Sequence, residues 1–275
     1  MDRVILLFIN TNADVMIELK TPEQIEKMRV AGRLTAKVLE ALTAFIRPGL
    51  STMDVDRFCE DYIVNTLKAI PGSKGQYGYP YSVNTSLNHV ICHGMPADNQ
   101  ILKDGDILNV DVTVIYEGYY GDSSKMFCIG KVAPHAKRLV DVTQQCLYEG
   151  ISMVKPGVTI GDIGNKIQTI AQKNNYSVVR EYCGHGIGRK MHEDPQVPHY
   201  GRSGTGETLE EGMTFTIEPM INQGKADVKH IQKDGWGIAV TKDRMLSAQW
   251  EHTILVTSSG FEVLTLREEE QGVFL

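Results

Sequence analysis

Arg47-Pro48-Gly49-Leu50-Ser51-Thr52-Met53-Asp54 returns at position 155, 108 residues later, as Lys155-Pro156-Gly157-Val158-Thr159-Ile160-Gly161-Asp162. In the first copy Pro48-Gly49 ends a helix and Ser51 or Thr52 starts another. In both copies a long helix precedes the match and a further helix follows it, and each half then passes into strands that carry acidic residues. The repeat implies two related α+β halves packed as one domain, with a site between them. No linker-like composition separates the halves, so they are not read as independent domains.

Upstream of the first copy, Thr21-Pro22-Glu23-Gln24 opens a helix: Thr21 caps, Pro22 suits the first turn, and Gln24 stands three after the cap. Ile25, Met28, Ala31, Leu34, Val38, Leu42 and Phe45 follow at helical spacing. The helix that starts at Ser51 or Thr52 is expected to run to about Lys68, and a loop rich in Gly, Ser, Tyr and Asn extends from Pro71 to Asn88. Strands fill the stretch to about Phe127, helix signals return from Pro134 to Val154, and strands dominate after Val178.

Asn109-Val110-Asp111-Val112-Thr113-Val114 alternates, with Asn109, Asp111 and Thr113 on one face and the valines on the other. Glu117-Gly118 supplies a tight turn and Tyr119 to Ser124 returns as the partner strand. A turn centred on 116/117 or on 117/118 puts Asp122 on the face of Asp111 either way. Carboxylates so close repel unless a cation or a shared proton compensates. Thr214-Phe215-Thr216-Ile217-Glu218-Pro219 has the same form, and Pro219 stops its ladder. Gln249 to Val256 reads as one more strand, with Glu251 and Thr253 opposite Trp250, His252 and Ile254. In Gly184-His185-Gly186-Ile187-Gly188 the glycines leave the imidazole unobstructed for a ligand role. Four carboxylates are close to balanced by two divalent cations and strongly overcharged with none. Oxygen-rich donors with one imidazole suit Mn, Co, Fe or Zn.

Composition narrows the class. Of the 275 residues 42% are hydrophobic and 23% charged, an ordinary globular balance. The net charge of −6 and the lack of any Lys/Arg run argue against nucleic acid as a partner. No apolar stretch approaches the ~20 residues that cross a bilayer. Five cysteines, at 59, 92, 128, 146 and 183, form no CxxC pair and suit free thiols in the cytoplasm. No large apolar stripe is evident, so a monomer is expected. Residues 1–15 read as an N-terminal extension, whether short strand, mobile tail or product of an upstream start, with residues 16–275 as the catalytic domain.

Asp111, Asp122, His185, Glu218 and Glu251 stand in the order and setting of the type I methionine aminopeptidases, and Cys92-His93-Gly94 also fits. The chain resembles that family from about residue 16 to residue 266. The resemblance implies the pita-bread fold, a pseudo-twofold α+β domain whose antiparallel sheet is covered by helices. It implies that Asp111 holds one metal, that Asp122 and Glu251 bridge both, and that His185 and Glu218 complete the other. A bridging hydroxide would attack the first peptide bond, with Glu218 as proton shuttle. His93 and His192 would contact the scissile amide. Tyr79, Met191 and Trp236 match positions that line the methionine pocket, and the initiator methionine of nascent chains would be the substrate, with transient ribosome contact. Ser73 and Asn84 stand where bacterial relatives often carry cysteines, Gln76 replaces a tyrosine, and Met191 replaces a phenylalanine. The step from Glu218 to Trp236 is one residue longer than usual. His89, His135, His199, His230 and His252 receive no role. The alternatives are a prolidase-like peptidase, which would usually carry a long extra N-terminal domain, and a non-catalytic relative, which would tend to lose metal ligands.

Overall fold

The computed structural model describes residues 17–274; the expected extension over residues 1–15 lies outside the described residues. The first half runs through helices α1 (Pro22–Phe45) and α2 (Thr52–Asp61). Strands β1 (Ile70–Pro71), β2 (Val83–Leu87), β3 (Val90–Cys92), β4 (Ile107–Tyr116) and β5 (Tyr119–Cys128) follow. The second half has α3 (Pro134–Ile151) and α4 (Ile160–Lys173). Its strands are β6 (Ser177–Val178), β7 (Gly184–Gly186), β8 (Glu193–Val197), β9 (Thr214–Ile217), β10 (Met220–Asn222), β11 (Val228–Lys233), β12 (Trp236–Thr241), β13 (Ser247–Gln249), β14 (His252–Val256) and β15 (Phe261–Val263).

The repeated segment occupies equivalent places in the two halves. Gly49 and Gly157 both take positive φ, 93° and 86°, which glycine tolerates without strain. Gly49 N–H bonds the carbonyl of Leu102 as Gly157 N–H bonds that of Leu209, and Ser51 and Thr159 each form an isolated antiparallel bridge, to Ile101 and Thr208. Asp54 accepts from the Ser51 amide at 2.8 Å, and Asp162 accepts from the Thr159 amide at 2.9 Å. The same local chemistry therefore starts α2 and α4.

Each half has its own apolar core on the helix side. Val38, Leu39 and Leu42 of α1 with Val55 and Cys59 of α2 pack on Val110, Val112 and Val114 of β4. Leu139, Val142 and Cys146 of α3 with Ile163 and Ile167 of α4 pack on Phe215, Ile217 and Ile221. Burying each such side chain stabilises by roughly 1.5–3 kcal/mol. The second helix is shorter than its spacing implies: α2 stops at Asp61 and a π-type turn over Tyr62–Thr66 carries the chain on.

Among the described residues every strand pairing is antiparallel, as expected, and the hydrogen-bonded ladders fall into four groups. β4 lies between β1 and β2 and also pairs with β5; β13-β10-β6 and β11-β12-β3 are short ribbons; β15-β14-β9-β7-β8 forms the largest sheet. The expected continuous strand from Gln249 to Val256 is interrupted. β13 belongs to one sheet and β14 to another, and Trp250-Glu251 make the crossing. Glu218-Pro219 make the matching crossing between β9 and β10. The cause lies in the pairing on either side: Ile217 pairs with His252 and Met220 with Gln249, so both chains leave one sheet and enter the next at the same level.

Candidate active site

The β4–β5 hairpin turns through Glu117 and Gly118, both at positive φ, as the twist of a two-residue hairpin requires. This register sets Asp111 opposite Ser124 and Asp122 opposite Thr113, so the two aspartates are diagonal neighbours on one face. That face is covered. Asn109 donates from Nδ2 to Ser124 Oγ at 3.0 Å and to the Gln249 carbonyl at 2.8 Å, and Asp122 is 2% exposed.

The second half supplies the remaining donors. Asp122, His185 and Glu251 present ligand atoms all within 4.8 Å of one another. His185 Nε2 lies 3.9 Å from Asp122 Oδ2 and 3.6 Å from Glu218 Oε1. Asp111 is the diagonal neighbour of Asp122 across the β4–β5 pair, on the same face. The structure thus brings together all five residues singled out as metal ligands.

Neighbouring groups hold these side chains in place. Thr113 Oγ1 donates to Asp122 Oδ1 at 2.9 Å, Thr216 Oγ1 to Glu218 Oε1 at 2.8 Å, and Gln249 Nε2 to Glu218 Oε2 at 3.2 Å. His185 pairs Nδ1 with the Gly186 carbonyl at 2.9 Å, which leaves Nε2 facing the acids. The glycines beside His185 have a packing reason as well. A methyl at Gly184 would overlap the Thr216 carbonyl, and one at Gly186 the Asp194 carbonyl.

The electrostatics follow from crowding in a poorly solvated place. Burial pushes Asp111 up to about 7 and Glu218 up to about 8. Asp122 and Glu251 are raised well above the carboxylate range by burial and then by the neighbouring carboxylates. Burial, with His192 adding to it, holds His185 down to about 3. A neutral imidazole with a free Nε2, surrounded by acids that resist ionising together, is a donor set that fits divalent cations. The Gln249 Oε1 and Asn84 Oδ1 atoms, buried next to these acids in sequence or register, have no hydrogen-bond partner.

Two histidines and an aromatic cluster flank the acids. The His192 ring lies 4.3 Å from the His185 ring, and its Nδ1 is 3.3 Å from the Tyr77 hydroxyl. His93 is placed on the other side by Trp236, whose Nε1 donates to the His93 carbonyl at 2.9 Å. Tyr79 packs on Trp236 at 4.5 Å between centroids, its hydroxyl donating to the Val83 carbonyl. Burial, followed by the fields of His192 and His230, holds His93 down to about 4. Met191 precedes His192 in the chain, and its side chain is half-buried.

Three residues not singled out in the sequence belong here. His199 is fully buried, and its Nε2 accepts the Glu218 amide at 3.0 Å. Tyr182 sets its ring edge-on to His93 at 5.2 Å, and its hydroxyl meets His230 Nε2 at 3.0 Å. Tyr77 forms the exposed lip beside His192. No local spacing marks His199, since its contact spans 19 residues. Tyr182, three before His185, carried the only usable cue.

The model of metallopeptidase family M24 matches residues 26–258. The chain is 55% identical over 254 residues to the methionine aminopeptidase of Escherichia coli K12, covering 92% of this chain and 96% of the relative. The chain belongs to the methionine aminopeptidases of metallopeptidase family M24. The crystal structure of the Rickettsia prowazekii methionine aminopeptidase superimposes with a TM-score of 0.88 at 50% identity, covering 91% of this chain and all of that one. A prolidase from Pyrococcus furiosus, 22% identical, superimposes at 0.73 over 91% of this chain and 66% of its own length, a likeness of fold alone. The fold is the pita-bread fold of this family, and this M24 chain is a metal-dependent aminopeptidase, a hydrolase.

Proposed function

We propose that the protein removes the initiator methionine from newly made polypeptides, using two divalent cations held by Asp111, Asp122, His185, Glu218 and Glu251. The observation that carries this reading is the convergence of one neutral imidazole with four acids, none of them salt-bridged to a lysine or arginine among the described residues. Asp122 and Glu251 would be shared between the cations; Asp111 would hold one, His185 and Glu218 the other. Bound there, Mn, Co, Fe or Zn ions would supply a bridging hydroxide near neutral pH and polarise the scissile carbonyl.

The chain's own groups do the rest. Glu218, with each carboxylate oxygen held by one neighbour, can take the proton released on attack and deliver it to the leaving amine. His93 and His192, kept neutral by burial, keep an N–H to donate to oxygen charge that develops on the substrate amide. Tyr79, Trp236 and Met191 would accept the thioether side chain, a soft apolar group suited to aromatic surroundings. The five cysteines are all free, in keeping with a reducing cytoplasm. Peptides at the N-termini of nascent chains are the partners, met near the ribosome by a monomer that needs no nucleic acid or membrane contact of its own.

The test is hydrolysis of Met-Ala-Ser against Gly-Pro, with and without added Mn or Co. Metal-dependent cleavage of the first alone is expected. Cleavage of Gly-Pro instead, or of neither peptide, would overturn the assignment.

A further inference from the structure

We infer that Arg267 is a positioning residue for the metal cluster, acting on Glu251 and Asp122 from behind; the inference rests on the metal reading above. Arg267 lies outside the stretch matched by the family model, which ends at residue 258. It follows β15 in the last described turn of the chain, yet it is fully buried. So large a cation is seldom hidden without partners that fix it.

Its guanidinium grips three consecutive residues centred on Glu251. The group stacks over the Trp250 ring at 5.4 Å. One Nη lies 3.3 Å from His252 Nε2. The other donates to Ser123 Oγ at 3.1 Å, and Ser123 Oγ donates in turn to the Glu251 carbonyl at 2.6 Å. The Glu251 amide bonds the Ser124 carbonyl at 3.2 Å. Ser123 is also the chain neighbour of Asp122. One cation thus holds the flanks of the two carboxylates assigned to bridge the metals, and it does so from the face of the strand opposite to theirs.

Glu270 fixes the clamp itself. It accepts from Arg267 at 2.6 Å and from the Tyr148 hydroxyl at 2.5 Å, and it faces His252 Nε2 at 3.2 Å. The need for a clamp comes from the sheet crossing. Trp250 and Glu251 have left the β13 ladder and have not yet entered that of β14, so the Glu251 backbone keeps only the single amide bond to Ser124. Its carbonyl is held by Ser123 Oγ, which Arg267 orients, while on either side Trp250 Nε1 bonds the Val140 carbonyl at 3.1 Å and His252 Nδ1 meets Thr265 Oγ1 at 2.9 Å.

Isothermal titration of the metal-free protein with Mn2+ tests this, read beside the visible spectrum of the Co2+-loaded protein. Arg267→Met and Ser123→Ala are each expected to weaken Mn2+ binding about 10- to 100-fold, the usual cost of losing a group that orients a metal ligand. The Co2+ band should shift or broaden. Glu262→Gln, which breaks the surface pair with Arg29, should leave binding and spectrum as in the wild type. Should Arg267→Met fail to fold, Ser123→Ala decides alone, since it keeps the Arg267–Glu270 pair and cuts only the link to the Glu251 carbonyl. Wild-type affinity and an unchanged Co2+ spectrum in Ser123→Ala would overturn the inference and leave the metal reading standing. A wild-type protein that takes up no Mn2+ would instead overturn the metal reading.

Discussion

Glu218 and Glu251 face each other across a double crossing: Ile217 pairs with His252 on one side of it and Met220 with Gln249 on the other. Neither glutamate belongs to a strand, and each stands where the ladder opens, so its backbone has turned out of the pleat. The same gap that costs ladder bonds gives both carboxylates access to the Asp111–Asp122 face.

Replacing Glu251 with Gln should separate function from stability. Peptidase activity is expected to fall about 10³-fold, the scale of losing several kcal/mol of metal-assisted stabilisation. In the metal-free protein the same change removes one member of a repelling buried set. It should raise stability, because an amide has no charge to bury where burial and the neighbouring carboxylates already disfavour the ionised Glu251. Melting curves in EDTA check the second point; a lowered midpoint contradicts it.

Metal-free stability should decline as pH rises from about 6.5 to about 8. Asp111 and Glu218 are raised, to about 7 and about 8, so the folded state holds protons that an unfolded chain releases near pH 4. Their contribution is complete at low pH and is lost on the way up to those values. His93, His185, His192, His199 and His252 are all lowered and act in the opposite sense, but only up to about 6.5, where an unfolded histidine has lost its proton. Above that the carboxyls act unopposed. Added Mn2+ should reverse the trend, because its ligands must be deprotonated. Thermal melts at several pH values, with EDTA and with Mn2+, give both slopes.

His93→Ala and His192→Ala should each lower kcat/KM about 10²–10³-fold, the cost of removing a donor to developing oxygen charge. Neither belongs to the three-residue cluster of Asp122, His185 and Glu251, so Mn2+ titration should show both sites retained. Loss of metal in either variant would reassign that histidine from substrate to ligand.

Gly184→Ala should push β7 away from β9, since its methyl would meet the Thr216 carbonyl. The strain is expected to destabilise by about 1–3 kcal/mol. Mn2+ affinity should fall with it, because the His185 amide is bonded to Thr216 Oγ1 at 3.0 Å. Calorimetry and titration read the two effects separately.

Deletion of residues 2–15 should leave turnover unchanged. Residues 17–24 anchor the start of the described chain, through Ile17 against the second-half core, the Lys20 amide on the Gly212 carbonyl at 2.8 Å and the Thr21–Gln24 capping box. A large drop in specific activity or solubility of the shortened chain argues otherwise.

Much of this was legible in local sequence. The alternation of Asn109 to Val114 and the Glu117-Gly118 turn put Asp111 and Asp122 on one face, because period and turn chemistry are short-range. The 47/155 repeat announced the two halves, because capping is a matter of a few neighbouring residues. His252 was rightly directed away from the acids by alternation; it points to Thr265 and Glu270. What stayed hidden depends on contacts between distant segments. The break at Trp250-Glu251 exists because β13 and β14 have partners in different sheets, which no window of eight residues records. His199 and Arg267 look unremarkable among their neighbours and acquire meaning only against Glu218, 19 residues on, and Ser123, 144 residues back.

The closing turn of the chain packs behind strands made much earlier. Lys125 of β5 pairs with Glu269 at 2.5 Å, and the Glu268 amide bonds Glu40 of α1 at 2.8 Å. The back of the acid cluster is therefore closed by residues that must find partners more than a hundred positions earlier in the chain, which makes it a slow, long-range step of folding rather than a local one.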